Sequence, residues 1–250
     1  MLLRAGLVGF KDIAYFLVHL MKHFGWRQLL LMTEPDGQQR VAGRSTCHLM
    51  MKTFANFLKA EDILYTPWDT TSDGGLNYTE NLKFYLDYKY TIVVVCASPP
   101  TVREIMLAAD DLNMVASGEY VFFNIELFSN LASSSSKEPW KVVGEPEERN
   151  ERARRAYSAV LTVTSPAPDN KEYLDFSEKV KELARSKYNY TFGTGEVVST
   201  FVAAFYDAVL LYALALNDTL QQTAAQGGDA RGAPDGNAVM RNMWNRTFVG

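Results

Sequence analysis

Three histidines, two cysteines and the adjacent carboxylates Asp110 and Asp111 are the side chains whose types and spacing could do chemistry in this chain. His19 and His23 lie four residues apart, which on a helix puts both on one face, where they could hold a metal. No glutamate stands between them and no third ligand accompanies them, so surface or packing histidines are the reading, and His48 stands alone. Asp110 and Asp111 are neighbours, so on a helix they point in different directions and make no acid–base pair. Gly193-Thr194-Gly195 is a lone glycine pair, read as a loop before the next helix. The sequence contains no G-x-G-x-x-G, no G-x-x-x-x-G-K-[ST] and no G-x-S-x-G. An enzyme on an α/β frame ordinarily shows a nucleophile, a base or a phosphate loop, whereas a binding module needs none of them. The chemistry expected is therefore binding, with no catalytic residue, no metal and no cofactor.

Cys47 and Cys96 are too few for a four-ligand zinc site or a disulfide scaffold; two buried thiols and one bridge are both open. Asn77, Asn189, Asn217 and Asn245 each open an N-x-T triplet and are candidate glycosylation acceptors. With the even cysteine count they point to an oxidising, extracellular compartment. The net charge of -4 argues against a nucleic-acid partner, which calls for a basic stripe. The cluster Arg149 to Arg155 is interleaved with Glu147, Glu148 and Glu151 and reads as a solvated helix face. MLLRAGLVGF lacks the apolar core of a secretory signal, and no apolar run reaches the roughly 18 residues of a membrane span. Val197 to Leu216 comes nearest, but Asp207 interrupts it, and a buried core helix is expected there. An extracellular body with neither signal nor anchor suggests a fragment of a longer protein.

The elements that must position these residues alternate. Apolar residues three and four apart predict helices over Asp12–His23, Gly43–Lys59 and Tyr78–Tyr88. Gln28–Met32, Ile63–Tyr65 and Ile92–Cys96 predict strands, with Pro67–Gly75 a loop. Pro99-Pro100 opens another helix, since proline is tolerated in a first turn, and Tyr120–Asn124 follows as a strand. This β-α-β-α-β order implies a doubly wound parallel sheet. Beyond the polar stretch Ser133 to Pro146 come a charged helix, a strand over Ala159–Thr164, a linker at Pro166–Asp169, and helices over Glu172–Lys187 and Glu196–Asp218. A glycine-rich loop over Gln226–Gly236 precedes a last helix at Ala238–Trp244.

In this order the segments resemble the extracellular ligand-binding region of the natriuretic peptide receptor guanylyl cyclases. The residues that carry the resemblance are RAGLVGFKDIAYFLVHLMKHFGW from Arg4 to Trp26, Cys96-Ala-Ser-Pro, Met106-Leu107, Glu119-Tyr-Val-Phe-Phe, Phe205-Tyr-Asp-Ala-Val-Leu-Leu-Tyr and Met243-Trp-Asn-Arg-Thr-Phe-Val-Gly. The resemblance implies an α/β fold of the type I periplasmic-binding-protein-like kind, with two doubly wound parallel-sheet lobes, the distal one incomplete. Residues 1–158 would be the membrane-proximal lobe, 159–236 part of the membrane-distal lobe, and 237–250 the start of the return. It also implies a Cys47–Cys96 disulfide, a peptide hormone as ligand, and a homodimer in the full-length receptor on the extracellular side of the plasma membrane. The membrane-crossing segment and the cyclase domain that makes cyclic GMP lie outside this chain, so the chain alone is no enzyme. Two alternatives are a clearance-type receptor without a cyclase and a solute-binding protein of the same fold.

The sequence departs from the family where hormone contacts belong. Vertebrate relatives use a His, a Glu and a Phe after the short strand, where this chain reads Tyr65-Thr-Pro-Trp-Asp-Thr70, and the aromatic pair after the first cysteine is His48-Leu49. Tyr65, Trp68 and Asp69 are the expected ligand contacts on an exposed loop, since such aromatics make good anchors. Packing of that loop onto the lobe is the competing reading.

Overall fold

Helix formation begins where the 3.6-residue apolar repeat begins. In α1 (Phe10–His23), Ile13, Ala14, Leu17, Val18 and Met21 form one buried stripe, and Asp12 returns a side-chain hydrogen bond to the Gly9 N–H at 2.7 Å. β1 (Gln28–Thr33), α2 (Thr46–Ala60), β2 (Leu64–Asp69), α3 (Tyr78–Leu86) and β3 (Ile92–Cys96) follow. Then come α4 (Pro99–Asp111), the short α5 (Met114–Ser117), β4 (Val121–Ile125), α6 (Glu147–Ala156), a 3-10 turn and β5 (Val160–Val163). The last elements are α7 (Lys171–Tyr188), α8 (Thr200–Ala225) and α9 (Gly236–Met243). This computed structural model describes residues 9–39, 43–72, 77–86, 90–126, 138–164, 170–193, 198, 200–227, 232–244 and 246.

The chain divides into two compact units, Val8–Pro166 and a second made of Met1–Leu7 with Ala167–Gly250. The first holds one five-stranded sheet in the order β2-β1-β3-β4-β5, with every neighbouring pair parallel. It is the doubly wound α/β lobe that the alternation predicted. Strand alternation sends successive side chains to opposite faces. Leu29, Leu31, Ile92, Val94, Phe123 and Ile125 pack under α1 and α2 on one face. Leu30, Met32, Val93, Val95 and Phe122 pack with residues of α3 and α4 on the other. Because both faces are covered, β3 is buried at every position.

Four expectations change. The boundary does not fall at residue 158: β5 pairs with β4 in register Phe122↔Val160 to Ile125↔Val163, and so completes the first sheet rather than opening the second lobe. β2 does not stop at Tyr65 but runs to Asp69, since Pro67 sits on the edge strand of the sheet, where a missing N–H breaks no ladder bond. Among its described residues the second unit consists of α7, α8 and α9 without a strand. There Asn170 caps α7 by accepting the Tyr173 N–H at 3.3 Å, Tyr173 donates its hydroxyl to the Val198 carbonyl, and Asn242 of α9 donates to Thr219 of α8 at 2.9 Å. The expected buried core helix is α8, yet Phe205, Val209 and Tyr212 are 75%, 69% and 50% exposed.

Candidate functional site

In doubly wound sheets the ligand-facing edge is the one outside the carboxyl ends of the strands, and here that edge carries Cys96 at the end of β3 and Asp69 at the end of β2. Its scaffold is a disulfide. Cys47, in the first turn of α2, is bonded to Cys96, the last residue of β3, with the two Cα atoms 5.3 Å apart. The bridge closes a 49-residue separation, and by the chain-entropy account contributes about 2–4 kcal/mol.

The loop after β1 lies directly over the bridge. Glu34 accepts the Ser98 N–H at 2.8 Å while its own N–H donates to the Cys96 carbonyl at 3.0 Å. Asp36 accepts the Ser45 N–H at 2.7 Å. Gly37 passes so close to β3 that a Cβ would stand 2.5 Å from the Ser98 nitrogen and 2.6 Å from the Ala97 carbonyl carbon, so only glycine fits. Gln38 is buried and its side-chain N–H group donates to the Ile125 carbonyl. Ser98 then caps α4, accepting the Thr101 N–H at 3.4 Å. None of Glu34, Gly37 or Gln38 was a candidate on sequence grounds; the one available signal was the polar, glycine-bearing turn after an apolar strand.

The three expected ligand contacts occupy β2 and do not converge. Residues three apart in a strand face opposite ways. Tyr65 packs partly buried against the α1–α2 side, with the Lys59 ammonium 6.0 Å from its ring centre. Trp68 points into the other face, is 4% exposed, and meets the Tyr85 and Tyr78 rings at 5.4 and 6.2 Å. Asp69, exposed at the carboxyl end of the strand, caps a tight turn by accepting from the Thr71 N–H at 2.9 Å and hydroxyl at 2.6 Å. The exposed loop expected there is thus a strand, and Trp68 is a core residue.

A polar clamp joins α4 to α6. Arg103 is 2% exposed; its guanidinium donates to the Trp140 carbonyl at 2.7 Å, Glu145 at 2.8 Å and Asn150 at 3.2 Å. Arg149 pairs with Glu104 at 2.7 Å, so the basic run is not simply a solvated face. Arg152 reaches Asp110 at 2.8 Å and also Asp111, bringing together two carboxylates expected to diverge. One long guanidinium spans both because they end the helix. Among the described residues each guanidinium of this clamp is paired with a carboxylate, which ties α6 to α4.

Among the described residues no group of three metal-ligating side chains occurs, and His19 and His23 are both exposed on α1, His19 stacked on Tyr15. Asn77 is exposed and its side chain accepts the Glu80 N–H at 3.1 Å at the start of α3. Asn189 is exposed in a left-handed conformation, φ 52°, after α7. Asn217 is exposed on α8, but the hydroxyl of its partner Thr219 is buried and donates to the Ala215 carbonyl at 2.8 Å. Asn245, Gly195, Ser133–Ser136 and the 166–169 linker lie outside the described residues.

Comparison with known proteins agrees with the resemblance. Residues 10–250 match the family described as the receptor family ligand binding region. The chain is 38% identical over 233 residues to receptor-type guanylate cyclase gcy-28 of Caenorhabditis elegans, covering 88% of this chain and 18% of that protein. It is 30% identical over 243 residues to atrial natriuretic peptide receptor 3 of Rattus norvegicus, covering 96% of this chain and 41% of that protein. Among solved structures, the leucine-binding protein LivK of Thermotoga maritima aligns over 96% of this chain and 55% of its own, with a TM-score of 0.48 and 15% identity. The chain spans less than half the length of the curated relatives named here.

Proposed function

We propose, from the premise that this chain belongs to the family of receptor ligand-binding regions, that it is the extracellular ligand-binding part of a natriuretic-peptide-receptor-like membrane guanylyl cyclase. The observation that carries the reading is the 38% identity to a receptor-type guanylate cyclase across 88% of the chain. In this reading the ligand is a peptide hormone and residues up to the end of β5 are the membrane-proximal lobe. The receptor acts as a homodimer, and hormone binding shifts a dimer equilibrium that a single membrane span passes to a cyclase domain making cyclic GMP. The disulfide and the Glu34–Ser98 contact give the ligand-facing edge a rigid base. Hormone contact falls to Tyr65 and Asp69 at the sheet edge, with Trp68 holding β2 against α3 from behind. Asn77, Asn189, Asn217 and Asn245 carry the glycans.

The test is to express the complete gene product in cultured cells, label surface protein with a membrane-impermeant reagent, and measure cyclic GMP on exposure to fractionated peptide extract. A surface-labelled protein with a peptide-dependent rise is expected. An unlabelled protein, or no peptide that binds, overturns the reading. A surface-labelled protein that binds peptide without a rise favours the cyclase-free alternative, which the match to atrial natriuretic peptide receptor 3 over 96% of this chain also supports.

A further inference from the structure

β1 and β3 are neighbours in the sheet, yet the helices that follow them leave to opposite faces. α2, after β1, packs on one face through Cys47, Met50 and Phe54. α4, after β3, packs on the other through Val102, Ile105 and Met106. The two loops therefore part at the strand ends, which is the switch point where an open α/β sheet ordinarily leaves a crevice for a ligand. A helix that starts at such a point offers its first backbone N–H groups to an anion.

In this chain those groups are already taken. Glu34 directly follows β1, and Ser98 directly precedes α4. The Glu34 N–H donates to the Cys96 carbonyl at 3.0 Å, and the Glu34 carboxylate accepts the Ser98 N–H at 2.8 Å. Pro99 and Pro100 have no N–H to offer. The Thr101 N–H goes to the Ser98 hydroxyl at 3.4 Å, and the Val102 N–H to the Ser98 carbonyl at 2.9 Å. Beyond Glu34 the chain stays low over the sheet. Gly37 lies against Ala97 and Ser98 with no room for a side chain, and Gln38, 5% exposed, donates to the Ile125 carbonyl. The segment from Glu34 to Gln38 thus crosses the ends of β3 and β4. A carboxylate 2.8 Å from an N–H at a helix start has the geometry of a bound anion, and here the anion is part of the chain.

We propose that Glu34 is a built-in occupant of the switch-point crevice, whose carboxylate takes the place of a ligand carboxylate and excludes free amino acids and other small carboxylates from the first unit. A solute-binding protein using this crevice would have to leave it empty. Every contact involved lies within the first unit, and none depends on the receptor reading.

The test uses the whole chain in sodium acetate, acetamide or sodium chloride at matched ionic strength, read by thermal unfolding and by hydrogen exchange at Ser98. The unaltered chain should melt at the same temperature in acetate as in chloride, and a mixture of free amino acids should not move it. Glu34→Ala removes a methylene and a carboxylate that together have the size of acetate. Its Ser98 exchange should be about tenfold faster or more, as loss of a charge-assisted hydrogen bond implies. Acetate should restore its melting temperature and Ser98 protection saturably, whereas chloride and acetamide should not. Glu34→Gln keeps an acceptor for the Ser98 N–H, so it should fold, ignore acetate, and exchange Ser98 about fivefold faster. Acetate acting equally on the unaltered chain and Glu34→Ala overturns the proposal, as does a folded Glu34→Ala that acetate leaves unchanged or acetamide restores equally well. If Glu34→Ala does not fold, unchanged Ser98 exchange in Glu34→Gln overturns it. Saturable stabilisation of the unaltered chain by free amino acids overturns it too and favours the solute-binding alternative. A peptide-driven cyclic GMP rise that survives Glu34→Gln leaves the receptor reading standing by itself.

Discussion

Leu30, Met32 and Val95 in the first unit are at most 2% exposed, while Phe205, Val209 and Tyr212 in the second are at least half exposed. The two regions are written in the same apolar vocabulary and end in opposite environments. A sheet offers two flat faces, and helices laid on both cover every strand residue. A helix buries only the stripe that a neighbour covers. The described neighbours of α8 include a contact line with α9 through Asn242, a ring contact from Phe176 of α7 to Tyr206 at 4.9 Å, and an ion pair of Asp218 with Arg246. Apolar content therefore marks what can be buried, and the layer opposite decides what is.

The contrast can be broken by substitution. Trp68→Ala removes a ring packed between Tyr78 and Tyr85 and should cost the first unit about 3–5 kcal/mol. Hydrogen exchange in β1 and β2 peptides should accelerate while α8 peptides are unchanged; a normal β2 with altered ligand binding would instead return Trp68 to the surface. Reduction of Cys47–Cys96 comes next, at about 2–4 kcal/mol. In calorimetry this is a loss of about 5–15 °C for a unit of this size. An unchanged transition on adding reductant would show that the bridge closes no loop the unfolded chain opens. Asn170→Ala deletes the cap of α7 and should cost the second unit about 1 kcal/mol, visible as faster exchange at Tyr173 and Leu174. Phe205→Ser changes an exposed face and should move stability by less than about 0.5 kcal/mol. A loss of several kcal/mol there would mean that α8 is buried in solution and would erase the contrast.

Much of the first unit was legible because periodicity and burial agree. The apolar run Ile92–Cys96 reads as a strand covered on both faces, and it is one. Pro99-Pro100 reads as a helix start, and Ser98 caps it. Where the reading slipped, a single residue had two meanings. Pro67 signals a loop in isolation but is harmless on an edge strand, and nothing local says which strand is the edge. Asp110 and Asp111 diverge along their own helix and are reunited by Arg152, a residue 41 positions beyond the second of them. The cysteines could be counted but not paired without the family likeness, because connectivity depends on where β3 ends relative to α2.

Composition, the apolar repeats and the family-specific segments determined on their own that this is an α/β chain of the receptor ligand-binding kind. These signals are local or cumulative, and survive without coordinates. Tertiary structure alone decided that β5 closes the first sheet, that Tyr65 and Trp68 face apart, and that Gln38 crosses from the β1 loop to the end of β4. Each of these depends on strand order and register, and a parallel sheet sets both through contacts between segments tens of residues apart.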